Sequence, residues 1–222
     1  MVPASLLFSG DRMSHISPAN TSGPVIFNLV ILLLFGLIWI GLVRSLRSKK
    51  SPAWLIFFTI FYIYLFKVLD YTLFQFQSLI VLQVFGSNLI LNGQTAGQAL
   101  NLIPLITLTS QDLNTSLLNI LLLIPFGFGL PFITDFRMKK VVMMGALFSI
   151  LIESLQWITG FLAKMTFRIA DVNDVIFNTL GAAIGYILFV SFVRIYRRIS
   201  GNGAISSNPI LRYIAERPQV DL

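Results

Sequence analysis

The sequence predicts an all-α polytopic membrane protein of about five transmembrane helices. Three observations predict it. Of 222 residues, 56% are hydrophobic and 11% charged, whereas a soluble domain carries about 25% charged residues. Uncharged or nearly uncharged apolar stretches recur along the chain, each about 20 residues long, which at 1.5 Å per residue crosses roughly 30 Å of hydrocarbon. The basic residues cluster between and after these stretches rather than inside them.

Residues 1–24 are polar, rich in Ser, Pro and Gly, and form an extracytoplasmic N-terminal segment without the basic region of a secretory signal. The first span is Val25 to Val43, stopped by Arg44, Arg47, Lys49 and Lys50. The second runs from Trp54 to Phe74, with Lys67 and Asp70 one turn apart and able to pair. Ser78 to Leu91 is apolar but too short to cross, and reads as an interfacial or re-entrant segment. The third span, Thr115 to Thr134, holds Pro125 and Pro131 and is expected to kink. The fourth is Val141 to Gly160 and the fifth Val175 to Val193, ending at Arg194, Arg197 and Arg198. The membrane domain thus covers 25–198, and residues 199–222 read as a flexible cytoplasmic tail.

Charge placement orients the chain. Arg44, Arg47, Lys49, Lys50, Arg137, Lys139, Lys140 and all the arginines from Arg194 onward fall on one side of five spans. Only Arg12, Lys67, Lys164 and Arg168 fall on the other. The positive-inside rule then places the N-terminus outside and the C-terminus in the cytoplasm. The net charge of +7 is therefore explained by topology. Nucleic acid is not an expected partner, because the charges are divided among short juxtamembrane loops. The lipid bilayer is the expected partner, with some attraction to anionic headgroups.

The composition excludes several chemistries. There is no cysteine, hence no disulfide, thiolate zinc site or cysteine nucleophile. The single histidine, His15, lies in the N-terminal segment, so no site can use two imidazoles.

Polar side chains inside spans are costly and therefore informative. Gly145, Ser149, Glu153 and Gln156 share one face of the fourth span, at spacings that return to the same side of a helix. Asp174, Asn178, Gly181 and Gly185 share a face of the fifth, where Gly181-Ala-Ala-Ile-Gly185 permits close helix approach. Asn119 lies one turn inside the third. Counting along the spans puts Asn119, Glu153, Gln156, Asp174 and Asn178 in the outer half of the membrane, with Arg168 and Asp171 at the rim. This predicts a polar pocket open to the outer surface.

These residues resemble a known family. Asn101-Leu-Ile-Pro104, Asn119-Ile-Leu-Leu-Leu-Ile-Pro-Phe-Gly-Phe-Gly-Leu-Pro131 and Gly145-x3-Ser149-x3-Glu153-x2-Gln156 are similar to the VanZ-like family. So is Arg168-Ile-Ala-Asp171-Val-Asn-Asp174-Val-Ile-Phe-Asn178-Thr-Leu-Gly181-Ala-Ala-Ile-Gly185. The resemblance covers about 54–193. It departs from the family where Thr115 stands in place of a second Asn one turn before Asn119, and in extra residues before Arg168. The family's common form has four helices with both ends in the cytoplasm. An added first helix moves the N-terminus outside, in agreement with the charges. The resemblance implies a role at the bacterial cell envelope, in a family named for a member that raises resistance to the glycopeptide teicoplanin.

Several roles stay open for the polar residues. Glu153 fits a general acid or base, a ligand contact, or a protonated acid bonded to Gln156 or Asn178. Asp174 is read as the cap of the fifth helix, with cation binding beside Glu153 and Asp171 as the alternative. Asp171 either joins such a site or pairs with Arg168, and Arg168 either grips an anion or sits at the rim. Asn119 and Asn178 read as interhelical hydrogen-bonding groups. Trp54 and Trp157 read as interfacial belt residues. No cofactor is implied, although the carboxylates would suit magnesium or calcium. The leading expectation is an envelope protein whose pocket engages a cell-wall or lipid-linked component and lowers glycopeptide access. The rivals are a membrane enzyme acting on a lipid-linked substrate and a small transporter or flippase.

Overall fold

In the computed structural model, residues 22–73, 100–104, 110–162, 170–200 and 208–217 are described. Five helices in them are long and apolar enough to cross a membrane. These are α1 (Ser22–Leu46), α2 (Pro52–Thr72), α3 (Ser110–Ile133), α4 (Met138–Leu162) and α5 (Val172–Ser200). A short helix, α6 (Pro209–Ala215), follows. The expected spans are all present, and α1, α4 and α5 run past the expected bounds at both ends. Polar residues end an apolar window before they end a helix, and backbone hydrogen bonding continues through them. Ser78 to Leu91, His15 and Arg168 lie outside the described residues.

Two two-residue strands, β1 (Leu100–Asn101) and β2 (Ala170–Asp171), pair in parallel, with Asn101 opposite Asp171. They clip the segment before α3 to the segment before α5. This end of the bundle, where α2 and α4 finish and α3 and α5 start, is called the polar end below. The opposite, basic end carries Arg44, Arg47, Lys49, Lys50, Arg137, Lys139 and Lys140.

The most extensive helix contact is between α3 and α5. Glycine makes it: a methyl group at Gly181 would collide with the Ile120 carbonyl, and one at Gly127 with the Ala182 carbonyl. Backbones this close gain dispersion contacts, the main source of helix association where water supplies no hydrophobic drive. Gly185 lies against the Ile124 carbonyl in the same seam, and a Cβ at Gly145 would stand 2.5 Å from the Ala182 Cβ, bringing α4 in. The small-residue pattern read from the sequence therefore sits at the tightest crossing. α3 continues as helix through Pro125 and Pro131.

α1 is peripheral: none of its apolar window is buried. It leans on α2 through Phe35 and Phe66, 4.9 Å between ring centroids, and through Trp39 Nε1 donating to Thr59 Oγ1 at 3.2 Å. Tyr62 returns a hydrogen bond to the Phe35 carbonyl at 2.8 Å.

At the basic end, the polar tail contains docked structure. Asn208 accepts from the Ile210 N–H at 2.9 Å and starts α6, whose Ile214 is buried. The last carbonyls of a helix lack intrahelical donors, and side chains supply them for α3. Trp54 Nε1 donates to Ile133 O at 3.1 Å, Arg217 Nη1 to Phe132 O at 3.2 Å, and the Tyr213 hydroxyl also donates to Phe132 O. Arg197 of α5 holds the tail by donating to the Ala215 carbonyl at 2.9 Å. The segment expected to be flexible thus holds a helix over Pro209–Ala215, and Tyr213 in it and Arg217 just beyond it close the end of α3. At 7 residues the helix is too short to stand out in the sequence as more than a tail.

Candidate functional site

The polar end gathers polar groups from four helices. On α3, Asn119 is buried and donates through Nδ2 to Asp174 Oδ1 at 2.5 Å. On α4, Ser149 is fully buried and accepts from Asn178 Nδ2 of α5 at 2.8 Å. Gln156, one turn beyond Glu153, donates to the Thr72 carbonyl at the end of α2 at 2.8 Å. These bonds tie the helices together, as expected of Asn119 and Asn178. In hydrocarbon an unpaired polar group costs several kcal/mol, which is why they meet at helix interfaces.

Asp171 is the organising residue at the rim. Its Oδ2 accepts from Asn101 Nδ2 at 3.0 Å, across the strand pair. Its Oδ1 accepts from the Asn173 N–H at 2.8 Å. Because α5 begins at Val172, that second bond is a helix cap, so the cap is Asp171 rather than Asp174. The helix starts before the apolar window does, which moves Asp174 into its first turn, where the carboxylate still suits the helix dipole. Asp171 also donates its own backbone N–H to Glu153 Oε2 at 3.2 Å. Glu153 is therefore joined to the strand, and it is 8% exposed.

A cavity of about 540 Å³ opens beside Glu153 and Asp171. Its walls are mostly apolar: Ile150, Trp157 and Ile158 from α4, and Val172 and Val175 from α5. Leu102, in the segment clipped by Asn101, completes it. The expected polar pocket is thus two features. Asn119, Gln156, Asp174 and Asn178 form a buried interhelical lattice, while among the described residues Glu153, Ser154 and Asp171 are the acidic or hydroxyl side chains at the cavity. Helical spacing places residues on a face; it does not say whether that face meets a neighbour or a space. Arg168 lies outside the described residues. Among the described residues, no group of three or more His, Cys, Asp or Glu converges as a metal site would need.

Sequence reasoning missed four contributors. Thr72 offers a backbone carbonyl, which leaves no trace in sequence. Ser116 is buried one turn before Asn119, a spacing that does signal a shared face. Trp157 lines the cavity instead of only marking the interface. Asn101, singled out only within a motif, is the strand partner that fixes the Asp171 carboxylate.

Comparison with known families gives a match to VanZ/LLP1 over residues 61–194. The chain belongs to the VanZ/LLP1 family. The match includes Asn119, Gln156, Glu153, Asp171, Asp174 and Asn178, and the seam of Gly145, Gly181 and Gly185. Helix α1 and the docked α6 fall outside it, so the VanZ/LLP1 region is the part that builds the cavity. No curated protein and no solved structure gives a match.

Proposed function

We propose that this VanZ/LLP1 protein lies in the bacterial cytoplasmic membrane with its N-terminus outside, its C-terminus in the cytoplasm and its polar end facing the cell wall. There it engages a cell-wall or lipid-linked component and reduces access of glycopeptide antibiotics of the teicoplanin type. The observation that carries this reading is the pairing of two carboxylates, Glu153 and Asp171, with an apolar cavity large enough for a ligand. The positive-inside rule supports the orientation, since most basic residues stand at the opposite end.

The test is binding of fluorescent teicoplanin to Gram-positive cells that express the wild type or Glu153→Ala at matched membrane levels. The reading expects wild type to lower binding and the variant to lose that effect. Equal lowering by both would make Glu153 structural. No lowering by either would separate this member from the antibiotic role.

A second reading is supported by the direct Asp171–Glu153 hydrogen bond on the cavity wall. In it the protein is an enzyme that uses Glu153 as general acid or base on a lipid-linked substrate, with Asp171 supporting it. Turnover of an envelope lipid by purified protein, dependent on Glu153, would establish it. A preparation that binds but converts nothing, with or without magnesium or calcium, would remove it.

A further inference from the structure

We infer that the cavity is a lateral groove that takes a hydrocarbon chain from the bilayer, with the polar end of that amphiphile at Glu153. The inference rests on the reading that this end engages an envelope component, and it specifies both the kind of molecule and its route.

The argument starts from exposure. Ile150 and Ile158 of α4 are 49% and 43% exposed, and Leu102 of the clipped segment is 72% exposed. In a soluble protein such residues would face water. On a membrane-spanning helix they face lipid tails. Ile150, Ser154 and Ile158 recur every four residues and so form one line along α4, spanning roughly 12 Å. The cavity is built on that line. It therefore opens sideways, toward the hydrocarbon, and not only toward the water at the end of the bundle.

The walls then select the occupant. A glycan or peptide arriving from water would have to lose hydration against isoleucine, valine and tryptophan side chains, without hydrogen bonds to replace it. A hydrocarbon chain already in the bilayer loses nothing and gains packing contacts. The polar part has a place as well. Glu153 lies one turn from Ile150 and from Trp157, beside Asp171, so the carboxylates stand at the edge of an otherwise apolar wall. An apolar track ending at carboxylates matches an amphiphile with its chain along α4 and its head at the rim. A phospholipid whose headgroup ends in an ammonium has that chemistry: its acyl chain takes the track and its cation meets the carboxylates.

Trp157 lines the groove and can report on it. The chain holds three tryptophans, so Trp39→Phe with Trp54→Phe leaves Trp157 as the single emitter. The protein is placed in phosphatidylcholine bilayers with increasing amounts of a bromine-labelled acyl phosphatidylcholine, which quenches on contact. A chain seated in the groove gives quenching that saturates at low mole fraction, and Ser154→Phe, which fills the groove from an exposed position, lowers it several-fold. Unlabelled polyprenyl phosphate is the control, since the carboxylates repel its anionic head. It is expected to leave the quenching unchanged, and relief would overturn the assignment to a phospholipid.

Quenching at Trp157 that only follows the bulk fraction of labelled lipid and ignores Ser154→Phe would overturn the inference. Because the two Trp→Phe changes remove hydrogen bonds, the same comparison is made on the otherwise unaltered chain by mass spectrometry of protein released from bilayers. Wild type is expected to retain a bound lipid that Ser154→Phe loses; equal retention would overturn the inference. The teicoplanin assay separates the two claims. If the groove shows no seated chain while Glu153→Ala still abolishes the antibiotic effect, the envelope role stands and its ligand arrives from water.

Discussion

The side-chain amide of Asn119 donates to the Asp174 carboxylate at 2.5 Å, joining the third spanning helix to the first turn of the fifth. Both residues are buried. A carboxylate at this depth depends on such donors, because the surrounding hydrocarbon offers none.

Asn119→Ala should therefore destabilise the bundle by about 1–2 kcal/mol, toward the upper range for interhelical hydrogen bonds in membranes. Asp174→Asn keeps an acceptor for Asn119 and should cost less. Reversible unfolding in mixed micelles at matched detergent composition would compare them. Equal losses would mean that the charge of Asp174, not its hydrogen bond, is what the site requires.

The α3–α5 seam gives a sharper contrast between glycines. Gly181→Val sets a branched side chain against the Ile120 carbonyl and should cost more than about 2 kcal/mol, as overpacking does where backbone must move. Gly36→Ala on α1 has no atom within 4 Å to meet. It should leave stability unchanged or raise it by up to about 1 kcal/mol through helix propensity. The two variants, unfolded under the same conditions, test whether the small residues matter by contact or by composition.

The strand clip predicts a local effect. Asp171→Ala removes the acceptor for Asn101 and for the Asn173 N–H together. Hydrogen exchange at Asn101 and at Ile103, whose N–H donates to Asn101 Oδ1 at 3.2 Å, should rise by at least tenfold, the factor set by about 1.4 kcal/mol. Exchange in the middle of α3 should not change. A uniform rise would mean that Asp171 supports the whole bundle.

Docking of α6 should depend on alkaline pH. Burial raises the Tyr213 phenol above its ordinary 10.0, Arg217 opposes that shift, and Asp135 adds to it. A group with a raised folded pKa stabilises fully below the unfolded value, near 10 for tyrosine, and loses that contribution as pH rises through the folded value. The chain has no cysteine, so Glu216→Cys accepts a single spin label beside α6. Label mobility should increase above pH 10 in the otherwise wild-type chain. In Tyr213→Phe it should be higher at neutral pH, where the hydroxyl bond to Phe132 is lost, and should not respond further to tyrosine ionisation.

Much of this architecture was legible in the sequence, for physical reasons that differ by element. The spans were legible because lipid demands long apolar runs. Gly181 and Gly185 were legible because a spacing of four is the spacing of one helical face. The same rule grouped Ser149, Glu153 and Gln156, which do face other elements at the polar end. The division between buried lattice and open cavity was not legible. Gln156 and Glu153 share a face, yet Gln156 reaches the α2 carbonyl at Thr72, while Glu153 reaches the strand beside the cavity. That difference depends on how α2 ends and how residues 100–104 fold back, which no local pattern encodes. Helix α6 was missed for a related reason. Its stability comes from groups it caps on a distant helix, not from its own seven residues.

The α3–α5 seam also sets an order of events during synthesis. Chain growth delivers α3 and α4 to the membrane before α5 exists. Until then Asn119 lacks the Asp174 carboxylate, Ser149 lacks Asn178, and Glu153 lacks the Asp171 N–H. The earlier helices must wait as loosely associated segments that carry polar groups in lipid. Assembly waits for α5 to insert against the glycine surface of α3, and α6 then seals its end. A nascent chain interrupted before Asp171 thus leaves Asn119, Ser149 and Glu153 without these partners.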